Sequence, residues 1–281
     1  MHYHYEVSIR EFIGKFIAMT GYRLIAIENY NALSRDPRYR AGKNWSHRKV
    51  PGELRDFVFS NLQYSNSQIQ QDLLASWVTY KLRTGKFKAL KEPKYFVEFG
   101  ATNGFQLSNT FFLEKFENWK GLLAEPAKVW HIELLSVRNC EIDLRCVFSE
   151  SGETLMFTET SDPELGTLSR YSDWDNHAEE RQGGRNYEVE TVSLYDLLSE
   201  HQSPSYIDYL SIDTEGSEFE ILRVFDFERY SFGLISVEHN FTASRHELNQ
   251  ILTGAGYHRV LDEVSGQDDW YVSREAISFF Q

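Results

Sequence analysis

Apolar residues recur along this chain in two rhythms. In the first part they keep helical spacing: Ile9, Phe12, Ile13, Phe16 and Ile17 fall at i, i+3, i+4, i+7 and i+8, with Arg10 and Lys15 off the stripe. A second helical stretch, 67–83, sets Ile69, Leu73, Leu74, Trp77, Val78 and Leu82 on one side. From Lys94 onward, short apolar runs alternate with helical stretches, the pattern of a parallel sheet with crossover helices. Strands are predicted at 95–99, 121–125, 140–148, 206–213, 232–238, 257–264 and 269–272, and helices near 107–117, 127–138, 193–200, 216–226 and 243–254. Only Ser265, Gly266, Gln267 and Asp268 separate the last two strands, too few for a parallel crossover, so these must form a hairpin. The prediction is an α/β fold with a mostly parallel seven-stranded sheet, a C-terminal antiparallel hairpin and an N-terminal helical appendage.

Composition sharpens this outline. With 281 residues, 41% hydrophobic and 15% aromatic, the chain can bury a large core and is not a disordered polymer. A polar, basic stretch at 34–49 suggests a division into a basic appendage and linker, 1–66, and a body, 67–281. The net charge of −13 hides an asymmetry: residues 1–94 carry 16 basic and 8 acidic side chains, a net of +8, while the remainder carries 13 and 34, a net of −21. A body that acidic repels phosphate backbones, so no nucleic-acid substrate is expected. The basic arm either packs on the body or meets an anionic partner, such as a membrane surface or a lipid-linked acceptor. Cys140 and Cys146 build no disulfide scaffold or common zinc pattern, and on one extended segment both would face the same side as small buried hydrophobes. No apolar run reaches the roughly 18–20 residues that span a bilayer, and no signal-peptide pattern opens the chain. A cytoplasmic setting, peripheral to a membrane if the arm binds one, is the expectation.

The candidate chemistry begins at the first strand of the sheet. Its end, Glu98-Phe99-Gly100-Ala101-Thr102-Asn103-Gly104, is a glycine turn at a carboxyl edge, where doubly wound folds bind ligands. The spacing G-x-x-x-G is not the dinucleotide pattern, and the acid at Glu98 repels a pyrophosphate but attracts a sulfonium or ammonium. The second strand ends in Glu125-Pro126, a carboxylate suited to both hydroxyls of a ribose. Two acids at adjacent strand ends describe a site for a cationic nucleoside without phosphates, and S-adenosylmethionine fits that description.

Several blocks then resemble the FkbM family of S-adenosylmethionine-dependent methyltransferases. They are Ser67-Gln68-x-x-Gln71-Asp72, Phe96-Val97-Glu98-Phe99-Gly100-Ala101-x-x-Gly104, Ser108-Asn109-Thr110, Glu114-Lys115, Trp119-Lys120-Gly121 and Glu125-Pro126. The run Tyr209-Leu210-Ser211-Ile212-Asp213-Thr214-Glu215-Gly216-Ser217-Glu218 and the late Asp268-Asp269-Trp270 continue the pattern. The resemblance spans roughly residues 67–273 in order and leaves the first 60 uncovered. It implies a Rossmann-like class I methyltransferase fold. It also implies that Glu98, Gly100, Ala101, Asn103 and Gly104 surround the methionine part of the cofactor, that Ser108 and Asn109 meet its carboxylate, and that Glu125 holds the ribose. Cys146-Val147-Phe148-Ser149 would flank the adenine, with Gln68 and Asp72 closing over the cofactor.

Methyl transfer to an alcohol needs in-line alignment and removal of the hydroxyl proton. His239, at the end of the fifth strand, is the expected general base, oriented by Asp213 or Glu238. Asp213, Glu215 and Glu238 form an alternative site for a divalent metal that lowers the acceptor pKa. The long connection at 160–187, with Trp174, His177 and Arg181, is expected to be a lid that joins Glu215 and Asn240 in recognising the substrate. The expected acceptor is a sugar hydroxyl on a glycan, lipid-linked glycan or nucleotide sugar. A polyketide or other small metabolite, or a scaffold that binds the cofactor without catalysis, remains open.

Overall fold

The computed structural model describes residues 44–173 and 177–281. The amphipathic segment 9–17, most of the basic stretch 34–49, and Trp174 lie outside the described residues. Two helices open the described chain, α1 (Gly52–Asn61) and α2 (Gln71–Thr84). The body then alternates β1 (Tyr95–Phe99), α3 (Phe111–Glu117), β2 (Lys120–Ala124), α4 (His131–Val137), β3 (Glu141–Asp143), β4 (Cys146–Phe148), β5 (Thr154–Glu159), β6 (Thr167–Leu168) and β7 (Arg185–Ser193). It ends with α5 (Leu194–Glu200), β8 (Tyr206–Ile212), α6 (Glu218–Leu222), β9 (Ser231–Glu238), α7 (Ser244–Gly254), β10 (His258–Val260) and β11 (Asp268–Val272).

Seven strands form one sheet in the order β10-β11-β9-β8-β1-β2-β3. Neighbours from β3 to β9 pair in parallel, while β11 runs antiparallel to both β9 and β10. This is the Rossmann-like sheet with a terminal hairpin that the pattern predicts. Successive strand residues face opposite sides. Phe96, Leu123, Tyr209, Leu234 and Trp270 therefore enter one core with α1 and α2, while Val97, Leu122, Leu210, Ile235 and Tyr271 enter another with α5, α6 and α7. Trp45 stacks on Trp270 with centroids 5.4 Å apart, so the residues just before α1 pack into the first core.

One predicted strand is two. The run 140–148 breaks where Asp143 Oδ1 accepts the Arg145 backbone N–H at 2.8 Å and the carboxylate grips the Arg145 guanidinium. That corner leaves β3 in the main sheet and sends β4 to pair with β7 in a second sheet, ordered β4-β7-β5-β6. The two cysteines consequently do not share a face: Cys140 packs against the first core and Cys146 lies in a third cluster under the small sheet. The small sheet takes in only the edge of the predicted lid: β7 begins at Arg185, so the connection between β5 and β7 is 160–184, with β6 inside it. Among the described residues no helix is long and apolar enough to cross a membrane.

Candidate functional site

At the carboxyl ends of β1, β2, β8 and β9 lies a cavity of about 200 Å³. Strand alternation decides which side chains reach it. Phe96 and Tyr209 face the first core, so Glu98, two residues after Phe96, shares that side; on β8, Ser211 and then Asp213 do the same. On β9, Leu234 faces the first core, which puts Ser236 and Glu238 on the cavity side and Val237 on the other.

The glycine turn is shaped by close backbone approach. Gly100 has φ +72°, and a Cβ there would stand 1.9 Å from the Asp213 carbonyl oxygen, so only glycine lets the β1 turn meet the end of β8. Glu98 lines the cavity, but its carboxylate is largely engaged within the protein. It accepts the Asn109 backbone N–H at 2.7 Å and the Ser108 and Thr110 hydroxyls, and it lies 3.8 Å from Arg138. Burial pushes Glu98 above the usual carboxylate range, and Arg138 with these hydrogen bonds pulls it back. Arg138 is fully buried and also binds Glu114 at 2.6 Å, the Thr110 hydroxyl and the Gly104 carbonyl, fastening the turn to α3.

Three members of that motif serve packing and do not line the cavity. Ala101 belongs to the first core. Asn103 Oδ1 accepts the backbone N–H groups of Phe105 and Gln106. A Cβ on Gly104 would meet Leu134 and Arg138 at 2.6 and 2.7 Å, so this glycine admits α4 and its following arginine. Asp72 is likewise inward: it accepts from Ser65, Ser67 and the Asn66 N–H, holding the turn whose Ser67 bridges to Leu107 in the cavity wall. Gln68 does line the cavity, as do Ser108 and Asn109.

Glu125 stands at the end of β2 beside Pro126, both in the wall. Its two oxygens each accept one backbone N–H, from Thr102 and Ala127, both at 2.7 Å. Burial raises its pKa to about 7, against those two hydrogen bonds. Past Glu125 the wall turns apolar, with Ala127, Trp130, Cys146, Val147, Phe157 and Leu168. The expected adenine neighbours Phe148 and Ser149 are not in this wall; Phe148 lies in the third cluster with the Arg170 guanidinium 5.1 Å from its ring. Of the run 146–149, Cys146 and Val147 line the cavity.

The opposite end is acidic. Asp213, Glu215 and Glu238 each offer an oxygen within 4.8 Å of the others. Burial, together with Asp268, pushes Asp213 up to about 7, and burial beside Asp213 raises Glu238 well above the ordinary range. Glu215 accepts from Arg181 at 2.8 Å, and Asn240 Nδ2 donates to Glu238 at 2.8 Å. Arg181, expected at the substrate, is buried and also donates to the Leu165 carbonyl, so it fastens the 160–184 connection to the β8 turn. Glu218 closes that turn by accepting from the Thr214 and Gly216 N–H groups. His177 and the 163–166 stretch complete the wall, so the connection does border the site as expected.

The expected base, His239, does not reach the cavity. It follows Glu238 on the strand and therefore points to the other face. Its Nδ1 accepts the Phe241 N–H at 3.0 Å, Nε2 lies 3.8 Å from Asp269, and burial lowers its pKa. The only lone pair of a neutral ring is thus already in use. Sequence reasoning also missed Gln71, Trp130 and Gln267 in the wall. Gln71, whose amide donates to Asp268 at 2.9 Å, stood inside a quoted block, but Trp130 had no sequence signal, since it depends on where α4 begins.

A family model described as a methyltransferase FkbM domain matches residues 98–259. No curated protein matches the chain. Among solved structures, a methyltransferase FkbM from Methylobacillus flagellatus KT is similar at 12% identity, with 92% of this chain and 60% of that one covered and a TM-score of 0.40. This chain thus spans 60% of the length of that protein. A precorrin-6y C5,15-methyltransferase from Geobacter metallireducens GS-15 is similar at 12% identity over 66% of this chain and 71% of that one, with a TM-score of 0.32.

Proposed function

The chain belongs to the FkbM methyltransferase family, and from that premise we propose that it carries the methyl group of S-adenosylmethionine to a hydroxyl oxygen of a sugar. The observation that carries the cofactor half is the graded cavity: an apolar wall around Cys146 and Val147, a carboxylate at Glu125, and acids at Glu98 and Asp213. That sequence of surfaces suits a purine, a ribose diol and a cationic amino-acid tail in turn. The donor brings a sulfonium already activated for displacement, so the protein's share is alignment and proton removal.

Glu125 fits the ribose, because each of its oxygens accepts one backbone N–H and keeps a further lone pair. The Asp213–Glu238 pair suits proton removal. With both pKa values raised, the two carboxyls share a proton near neutral pH, and the ionised member accepts the acceptor's hydroxyl proton. Glu215, Asn240, Gln267 and His177 surround that place with groups able to orient vicinal hydroxyls, which favours a sugar acceptor. A hard divalent cation fits the same three carboxylates, Asp213, Glu215 and Glu238, with Glu215 already half-neutralised by Arg181. Such an ion would supply a lowered hydroxyl pKa.

The test is a transfer assay with S-adenosylmethionine and a panel of free sugars, nucleotide sugars, lipid-linked sugars and lipophilic alcohols, with and without chelator. Methylated sugar and S-adenosylhomocysteine in equal amounts are expected. Methylation of the lipophilic alcohols alone would replace the acceptor class, and binding of the cofactor with no turnover on any acceptor would leave a scaffold.

A further inference from the structure

Two buried polar atoms in the cavity wall have no hydrogen-bond partner among the described residues, the Trp130 indole Nε1 and Asn109 Oδ1. Leaving such atoms unpaired is costly, and most buried polar atoms in folded proteins have a partner. The two are of opposite sense. An indole N–H can only donate. The Asn109 amide nitrogen donates one of its hydrogens to Ser211 Oγ at 2.9 Å, and its oxygen is an acceptor without a donor.

They also stand at different places along the sheet edge. Trp130 follows β2 and packs on the cluster that holds Ala127, Cys146 and Phe157. Asn109 is tied to Glu98 on β1 and Ser211 on β8. Glu125, at the end of β2, lines the same cavity as both.

Resting on the S-adenosylmethionine reading of the cavity, we infer that Trp130 and Asn109 read the two ends of the bound cofactor. Trp130 Nε1–H donates to a ring nitrogen of the adenine, and Asn109 Oδ1 accepts from the methionine ammonium. Adenine ring nitrogens are acceptors, and an ammonium has only donors, so each orphan finds its complement. This pairing differs from the sequence expectation that Asn109 meets the carboxylate, since it is the Asn109 oxygen that stands without a partner. Glu98 and Asp213 in the same stretch of wall favour a cation there over an anion. Trp130 then makes the site selective for a base with an acceptor nitrogen at that position, a discrimination that the apolar wall cannot provide.

Calorimetry on the full chain tests this with three probes: S-adenosylhomocysteine, 5′-methylthioadenosine, which lacks the amino-acid tail, and deaza forms of methylthioadenosine, each missing one ring nitrogen. Trp130→Phe should weaken both parent ligands by about three- to tenfold. One deaza form should show the same loss on the wild type and no further loss on Trp130→Phe. Asn109→Ala should weaken S-adenosylhomocysteine by about ten- to a hundredfold and leave methylthioadenosine unchanged, the unchanged ligand also reporting an intact fold. Equal losses of both ligands on Asn109→Ala overturn the inference, as does a deaza loss that Trp130→Phe does not absorb. A wild type that binds neither parent ligand brings down the cofactor reading and the inference together; one that binds both without the crossed pattern brings down the inference alone.

Discussion

Glu238 and His239 are neighbours in sequence and meet different surroundings, one an acidic cavity and the other a buried corner beside Asp269. In the proposed function, proton removal at this site therefore falls to carboxylates whose burial raises their pKa. Glu238→Gln should lower kcat by about a hundredfold or more while changing cofactor affinity little, and Asp213→Asn should lower kcat as much and also weaken the cofactor whose cationic tail it faces. His239→Gln should keep kcat within about threefold of the wild type, and a loss matching that of Asp213→Asn would return the ring to the chemistry. In the proposed reaction the singly ionised pair is the active form, and burial pushes Asp213 up to about 7, so kcat/KM should rise with pH through that value. A profile flat from pH 6 to 8 would contradict the assignment.

Elements place these residues through a few fixed contacts. Gly100 lets β1 and β8 meet, and Gly100→Ala sets a Cβ against the Asp213 carbonyl in a left-handed backbone. Left-handed geometry alone costs a non-glycine residue about 1–2 kcal/mol, before the clash. Arg138 joins β1, α3 and the turn between them through Glu98, Glu114, Thr110 and Gly104. Arg138→Leu leaves Glu98 buried without its cation and Glu114 with Lys115 alone, for which about 3–5 kcal/mol of destabilisation is expected in urea denaturation. A loss below about 1 kcal/mol would mean the turn holds itself. The small sheet is also decided at this scale. Tyr187, Val189 and Thr191 alternate as a strand should, but the glutamates between them and the short partners β5 and β6 hid the signal.

For the whole molecule, a few of the body's many acids, Glu98, Glu125, Glu164, Asp213, Glu215 and Glu238, line one cavity, and Asp268 is buried nearby beside Asp213. Glu125 and Asp213 are raised to about 7 and Asp268 to about 6, so the folded state holds these protons more tightly than the unfolded chain does. Their contribution to stability is full below the ordinary carboxylate range and is lost as pH rises through about 6 to 7. Glu114 acts in the opposite sense, being held down to about 2 by Arg138 and Lys115 despite burial, but its effect lies below its unfolded value of 4.5. The ligand-free protein should thus melt at a lower temperature at pH 8 than at pH 5.5 in calorimetry. A melting temperature that climbs over that range would show the acids to be less buried than described.

The sequence by itself determined the sheet, its hairpin, and the acids at the strand ends, because these rest on local periodicity and on residue type at a chain position. Glu98, Glu125, Asp213 and Glu238 were legible for that reason, and all four line the cavity. Tertiary structure decided which neighbours of those acids share the site. His239 left it through strand alternation, Gly104 and Asn103 left it by packing on α4 and on their own turn, and Trp130 and Gln267 entered it from elements far apart in the chain. Whether a side chain faces a cavity depends on the register of strands and the docking of helices, and that is settled only when distant segments exclude water together.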